Sequence, residues 1–243
     1  MKSMIKMRRN IRAKRILSYP DRLWTTDIAL TTLLVSLLAY IFFAYPLGWI
    51  GSFRPVAAAF FSFILITGAI TASKNRIFRR LVFSWGFLAF ILTWARFLFP
   101  HQQNLIFVTN CLGLFFLLLL TSLILGQIFR EGPTTSHRIM GAVAVYLIIG
   151  MIWSVAYYLV ALWIPGAFSI QGPIAPGDGE PLQSQLFYFS FVTLTSIGYG
   201  DIAAVHPIVR MLVILEGVVG QLFPAILIAR LVSLQIQSKQ KNN

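Results

Sequence analysis

One short segment of the chain, residues 193–201, has the residue types and spacing that are most informative about chemistry. Its sequence is Thr-Leu-Thr-Ser-Ile-Gly-Tyr-Gly-Asp. This polar stretch is rich in hydroxyl groups and glycine, whereas the segments on both sides of it are strongly apolar. Gly198 and Gly200 alternate with larger residues, and glycine adopts a positive φ without steric cost. A backbone of alternating handedness turns successive carbonyl groups to the same side, which would give the segment a row of oxygen ligands for a cation.

Four copies of the polar stretch around one axis would stack these oxygens in rings that replace the water shell of a monovalent cation. The hydroxyl group of Ser196 would add an oxygen at the inner end, while Ile197 and Tyr199 would point away from the axis and brace the rings. The apolar run just before, 183–195, is too short to span a membrane. As a short helix it would direct its negative C-terminal end toward the cation.

The composition of the chain predicts a membrane protein that is not an enzyme. Its 243 residues are 58% hydrophobic and 11% charged, against about 25% charged residues in soluble domains. The net charge of +13 does not indicate nucleic acid, because the basic residues cluster at the ends of apolar runs and lack the motifs of nucleic-acid binding. The single cysteine, Cys111, excludes an intramolecular disulfide. We find no nucleophile–base pair, metal cluster or phosphate loop, and predict no cofactor.

Six apolar runs have the roughly 20 residues that a helix needs to cross the hydrocarbon core. They lie at 26–50, 53–72, 80–99, 104–129, 139–163 and 207–234. The segment 164–182 is rich in Pro and Gly and is predicted to be an extracellular loop. The fold class is therefore an all-α membrane protein with six transmembrane helices, and a re-entrant short helix and the polar stretch lie between helices five and six.

The positions of Lys and Arg predict that both termini are cytoplasmic. All of the 20 basic residues except Arg54, Arg96 and Arg210 fall on one side of the six runs, and this bias marks the cytoplasmic side of a multi-pass protein of the cell inner membrane. Residues 1–25 mix Met and Ile with Lys and Arg. They are either a basic helix on anionic lipid headgroups or a disordered tail that only sets the topology.

The polar stretch resembles the signature of the tetrameric potassium-channel family, Thr-x-Thr-Thr-Val-Gly-Tyr-Gly-Asp. The match consists of Thr193, Thr195, Gly198, Tyr199, Gly200 and Asp201, while Ser196 stands for Thr and Ile197 for Val. The resemblance covers about 138–234 and implies a bacterial six-span potassium channel whose selectivity filter is residues 196–200. It implies potassium ions at the carbonyl groups of Ser196, Ile197, Gly198 and Tyr199. A single signature in each chain requires a homotetramer.

The resemblance also implies roles for aromatic residues before the filter. The sequence Leu-Phe-Tyr-Phe-Ser-Phe-Val-Thr at 186–193 resembles the pore helix of the family. Tyr188 and Phe189 occupy the positions of its paired tryptophans. Tyr188 is expected to donate a hydrogen bond to Asp201 and so to support the filter, whereas Phe189 has no donor.

The last apolar run contains four candidate gating or cavity residues. Gly220 lies nineteen residues after the filter aspartate, where the family has its glycine hinge, and Pro224 favours a kink. Close helix packing is the alternative role of Gly220. Glu216 is an intramembrane acid and thus a functional candidate. It either raises the cation concentration in the cavity or hydrogen-bonds the pore helix from behind, in a protonated form. Gln221 is predicted to face the cavity.

The first four runs lack the features of a voltage sensor. Run four has no basic residue before Arg130 at its end, whereas a voltage-sensing helix carries several gating arginines. We therefore predict four parts of the chain. They are a basic cytoplasmic segment (1–25), a four-helix scaffold resembling a degenerate voltage-sensor domain (26–130), a pore domain (138–234) and a short cytoplasmic tail (235–243).

Passive, potassium-selective conduction is the function that these observations favour. A nonselective monovalent cation channel is the nearest alternative. An ion-coupled cation transporter and a non-conducting membrane subunit are alternatives from other classes. The single pore unit and the lack of an internal repeat argue against a transporter.

Overall fold

The computed structural model describes residues 20–44, 54–71, 76–99, 102–129, 136–170 and 182–240. Most of these residues are helical. The predictions for residues 1–19, for the loop residues 171–181 and for the last three residues fall outside the described ranges.

Helices occupy each of the six predicted apolar runs and the short run before the polar stretch. In chain order they are Pro20–Ala39 (α1), Arg54–Thr71 (α2), Arg76–Leu98 (α3), Gln103–Ile128 (α4), Ser136–Trp163 (α5), Leu182–Leu194 (α6) and Pro207–Gln240 (α7). A π-helical turn, Tyr40–Ala44, continues α1. These runs become helices because a helix pairs its backbone N–H and C=O groups within the segment, as a lipid environment requires.

Three of the helices are long and apolar enough to cross a membrane, as expected of a multi-pass membrane protein. They are Gln103–Ile128, Arg138–Trp163 and Pro207–Ser233. The apolar parts of α1, α2 and α3 are shorter, and α2 has only 18 residues in all. A helix of that length rises about 27 Å, slightly less than the roughly 30 Å of the hydrocarbon core. Six full spans therefore stay a prediction for the first three helices.

One apolar core joins the first four helices to α5 and α6. Its fully buried residues include Leu33 of α1, Phe116 of α4 and Ile148 of α5, and Phe187 of α6 belongs to the same cluster. Tyr40, in the π-helical turn, meets the ring of Phe187 edge-on, with the ring centroids 6.1 Å apart. The core thus runs across the boundary that we predicted between 26–130 and 138–234.

A second core holds α6 between α5 and α7. It contains Tyr157 of α5, Leu186 and Phe189 of α6, and Val209 of α7. Ile202, just after the polar stretch, completes it. Residues before and after the polar stretch are therefore buried against the same neighbours, which fixes both of its ends.

A two-stranded antiparallel ribbon, which the sequence did not predict, joins the end of α5 to the segment after the polar stretch. Phe168–Ile170 (β1) pairs with Ile202–Ala204 (β2). The N–H group of Val205 extends the ribbon by donating to the carbonyl oxygen of Ala167 at 2.9 Å. Strands of three residues are too short for an apolar–polar alternation to be recognised.

Candidate functional site

The short helix α6 delivers the chain into the polar stretch. Its 13 residues rise about 20 Å, about two thirds of the hydrocarbon core. The helix gives way to a tight turn after Leu194, where the N–H group of Ser196 donates to the carbonyl oxygen of Thr193 at 2.9 Å. The hydroxyl group of Thr195 donates to the carbonyl oxygen of Phe191 at 2.7 Å. The carbonyl oxygen of Phe191 also accepts the N–H group of Thr195 at 3.1 Å, and the bond from Ser196 occupies a backbone carbonyl group that the end of a helix leaves unpaired.

The backbone of the polar stretch alternates in handedness. Ser196, Gly198 and Gly200 have φ angles of 59°, 57° and 81°, whereas Ile197 and Tyr199 between them do not have positive φ. The two glycines adopt the conformation expected of them. Ser196 extends the pattern, and it is the one non-glycine residue with positive φ in the described ranges. Because a Cβ makes this region costly, the surrounding contacts must hold Ser196 there, as is common at functional sites.

The N–H groups in the inner half of the polar stretch point back toward the C-terminal end of α6. The N–H groups of Ile197 and Gly198 both donate to the carbonyl oxygen of Val192, at 2.9 and 3.4 Å. Within the described part of the chain, no donor is bound to the carbonyl oxygens of residues 196–199, and residues 195–200 are exposed in the single chain. The carbonyl groups are therefore available to another partner.

Tyr188 supports the outer end of the polar stretch. Its ring lies parallel to that of Tyr199, at an interplanar angle of 1° and a centroid separation of 6.5 Å. Its hydroxyl group interacts with the carboxylate of Asp201, and the hydrogen bond expected between them stays a prediction. Desolvation and the interaction with Asp201 raise the pKa of Tyr188 to about 12, so the hydroxyl group keeps its proton at physiological pH. Asp201 also accepts the N–H group of Ile202 at 3.1 Å.

Phe189, the second residue at the positions of the paired tryptophans, points from α6 toward α5 and β1. It meets Tyr157 of α5 and Phe168 of β1 edge-to-face, at centroid separations of 5.4 and 5.6 Å. Edge-to-face pairs of this kind add about 0.5–1.5 kcal/mol to the burial of the rings. Phe189 therefore fastens α6 to α5 and to the ribbon.

At the inner end of the polar stretch, Ser196 faces Gln221 of α7. The side-chain amide of Gln221 donates to the hydroxyl oxygen of Ser196 at 2.5 Å. The two side chains line an open cavity of about 520 Å³ together with the apolar residues Ile214, Val218 and Leu222. Gln221 thus lines this pocket of the single chain, and its place in a channel cavity stays a prediction.

Gly220 lies on the other side of α7, against the end of α6. A Cβ at Gly220 would overlap the backbone carbonyl of Leu194. The same carbonyl oxygen accepts the hydroxyl group of Tyr146 of α5 at 3.1 Å. The close packing that we considered as the alternative role of Gly220 is present. The helix continues through Pro224 to Gln240, so a hinge at Gly220 and Pro224 stays a prediction.

Glu216 lies behind α6 and is fully buried. One carboxyl oxygen accepts the hydroxyl group of Tyr157 of α5 at 2.5 Å, and the other lies 2.5 Å from the hydroxyl oxygen of Ser190 of α6. Of the two arrangements considered for this side chain, the structure has the one in which it hydrogen-bonds α6.

The sequence analysis did not identify four residues that form hydrogen bonds with α6 or with Glu216. They are Tyr146, Gly150, Tyr157 and Ser190. The first three follow one another at spacings of four and seven residues, which places them on one face of α5. Tyrosines with a polar tip in an otherwise apolar helix were the signal that could have identified this face.

Residues 142–236 match the family model described as an ion channel. The match begins in α5, includes α6 and the polar stretch, and ends in α7, so it falls on the segment that carries the geometry above. It supports an ion channel pore domain and passive ion conduction in a multi-pass membrane protein, and it suggests a function other than that of an enzyme. A comparison with curated proteins gives no match.

Proposed function

We propose that the protein is a homotetrameric, potassium-selective channel in which residues 196–200 of four chains form the selectivity filter. The observation that carries this proposal is the alternating backbone at Ser196, Gly198 and Gly200. The N–H groups of Ser196, Ile197 and Gly198 bond to carbonyl groups of α6, and in this proposal the carbonyl oxygens of the filter face the axis. Four such oxygens in each ring replace the water shell of a dehydrated potassium ion.

Selectivity, as opposed to nonselective conduction, is supported by the residues that hold the filter in place. The filter backbone is fixed at its inner end by the bonds to Val192 and Thr193. At its outer end, Tyr199 stacks on Tyr188, whose hydroxyl group interacts with the carboxylate of Asp201. A filter braced at both ends keeps the number and spacing of its carbonyl ligands, which favours one ion over another.

The surface of α7 supports a tetramer. Only 11% of its most apolar window is buried within the chain, against 39% and 44% in the windows of α4 and α5. Ile214, Val218 and Leu222, which line the cavity beside Ser196, are among its exposed or half-exposed residues. In the tetramer this cavity would lie below the filter, and neighbouring chains would cover part of the apolar surface.

We place the protein in the cell inner membrane, with both termini in the cytoplasm and the loop 164–182 outside. In this topology six segments cross the membrane, and α6 with the filter enters from the outer side. The distribution of Lys and Arg supports it. The basic segment 1–25 would then lie beside the anionic headgroups of the inner leaflet.

Ion flux into liposomes that contain the purified protein tests this function. Under a potassium gradient, we expect potassium or rubidium to pass much faster than sodium, with barium as a blocker. Equal sodium and potassium flux would refute selectivity and leave a nonselective channel. Uphill accumulation driven by a proton gradient would indicate a transporter, and complete absence of flux a non-conducting subunit.

Two glycines of matched geometry provide the control. Gly200 and Gly166 have φ angles of 81° and 78°, and a Cβ at either position would meet no atom within 4 Å. Replacement by alanine therefore strains the backbone similarly at both positions, but only Gly200 belongs to the filter. We expect Gly200→Ala to abolish potassium flux and Gly166→Ala to retain it. Retained flux in Gly200→Ala would show that ions take another route.

A further inference from the structure

We propose that Glu216 is held as a neutral carboxylic acid, and that its proton joins α7 to α6 behind the filter. Three helices meet at this side chain. Glu216 of α7, Ser190 of α6 and Tyr157 of α5 are all fully buried. The proposal goes beyond conduction, because it assigns a protonation state and a positioning role to a group that touches no ion.

The hydrogen-bond geometry defines a chain of four polar groups. The hydroxyl group of Tyr157 donates to one carboxyl oxygen of Glu216 at 2.5 Å. The second carboxyl oxygen is 2.5 Å from the hydroxyl oxygen of Ser190. The hydroxyl oxygen of Ser190 is in turn 2.8 Å from the carbonyl oxygen of Gly150 on α5.

The number of protons available for these hydrogen bonds favours a neutral, protonated Glu216. A serine hydroxyl has one proton to donate, and a backbone carbonyl has none. If Glu216 were ionised, Ser190 would face two acceptors, and one of its two short contacts would have no hydrogen between the oxygens. If Glu216 carries a proton, Oε1–H donates to Ser190, Ser190 donates to Gly150, and Tyr157 donates to Oε2. Every contact then contains one hydrogen.

The surroundings of Glu216 also disfavour a charge. A buried carboxylate needs a cation or several donors in place of water. The titratable groups that face Glu216 are Tyr157 and Tyr146, both of α5, and the facing side of α6 contributes the hydroxyl group of Ser190. No Lys or Arg of the described ranges bonds to Glu216. On α7, Arg210 is exposed and donates to a backbone carbonyl.

The proton of Glu216 also helps to position α7 against α6, next to the filter. Glu216 and Gly220 are one helical turn apart on α7, as Ser190 and Leu194 are on α6. The Glu216–Ser190 hydrogen bond therefore lies one turn from the contact of Gly220 with the carbonyl of Leu194. It aligns the two helices so that this contact forms two residues before the start of the filter.

Infrared difference spectroscopy on the purified, detergent-solubilised protein tests the protonation state without relying on conduction. At neutral pH, the wild-type spectrum minus that of Glu216→Gln should contain the C=O stretch of a protonated carboxylic acid. A difference confined to the carboxylate bands would overturn the proposal and leave the proposed channel function untouched.

Tyr157→Phe provides a second variant, because it keeps the ring and removes the donor to Oε2. It should shift the acid band, and an unshifted band would equally refute the assignment.

Thermal unfolding separates this role from simple packing. The amide of Gln donates to Ser190 and accepts from Tyr157, so Glu216→Gln should retain the wild-type Tm, whereas Glu216→Ala should lower it by on the order of 5 °C.

The pH dependence of Tm is a second measurement. If the folded protein keeps a proton that the unfolded chain releases, the free energy of unfolding falls as the pH rises. The wild-type Tm should therefore fall from neutral to alkaline pH more steeply than the Tm of Glu216→Gln. Parallel pH profiles, or a Gln variant as unstable as Ala, would overturn the proposal.

Discussion

Gly220 of α7 lies so close to the carbonyl group of Leu194, at the end of α6, that no side chain fits between them. The same carbonyl oxygen is held from α5 by the hydroxyl group of Tyr146. Since Leu194 is two residues before the proposed filter, we expect the position of the filter to depend on how closely α7 approaches α6.

Replacement of Gly220 by alanine tests this contact. We expect Gly220→Ala to lower Tm and to reduce potassium flux at least tenfold, because the added methyl group forces two backbones apart, and overpacking of this kind costs about 1–3 kcal/mol. Gly217→Ala is the matched control, since a Cβ there meets no atom within 4 Å. It should be neutral or stabilising by about 0.5–1 kcal/mol. A folded Gly220→Ala with a normal Tm but altered opening would favour the hinge instead.

The proposed hydrogen bond from Tyr188 to Asp201 predicts the effect of removing one hydroxyl group. Tyr188→Phe keeps the ring that stacks on Tyr199 but loses the hydrogen bond, and a bond to a charged group contributes about 1.5–3 kcal/mol. We expect a lower ratio of potassium to sodium flux. Asp201→Asn should have a similar effect, and the double variant should be no worse than either single variant.

The pH dependence of this bond has a definite sign. The phenol donates only in its neutral form, and its pKa is raised to about 12. The bond is therefore present at neutral pH and is lost only as the pH rises through that value. Loss of selectivity in wild type between neutral pH and about pH 10, absent from Tyr188→Phe, would contradict this assignment.

The sequence predicted the features that depend on local composition. Apolar runs located the helices, and Gly198 and Gly200 located the positive φ angles, because glycine alone adopts them without cost. The positive φ of Ser196 could not be predicted in this way, since serine does not prefer it and tertiary contacts impose it. The partners of Glu216 were also missed, because Ser190 and Tyr157 lie 26 and 59 residues away along the chain, and one sequence does not show which faces of the helices meet.

The contact of Tyr40 with Phe187 predicts that the first helix influences the pore helix. Tyr40→Ala removes a ring that packs on both Phe61 and Phe187, so we expect a fall in Tm equivalent to about 2–4 kcal/mol and an altered potassium flux. Phe42 and Phe43 lie on the same π-helical turn but are 67% and 68% exposed. Alanine at these two positions should leave both Tm and flux close to wild type. Equal effects at Tyr40 and Phe43 would show that the turn acts through lipid contact and not through Phe187.

The absence of basic residues from α4 predicts weak voltage dependence. Residues Gln103–Ile128 contain no Lys or Arg, whereas each elementary charge moved across the membrane supplies about 2.3 kcal/mol per 100 mV. Without several such charges, the membrane potential supplies little free energy to a conformational change. The first four helices share a core with α5 and α6, and we expect them to act as a scaffold. Single-channel recording in planar bilayers should show an open probability that changes only gradually with voltage. Steep activation that corresponds to several gating charges would refute the scaffold role and require a charged element elsewhere in the chain.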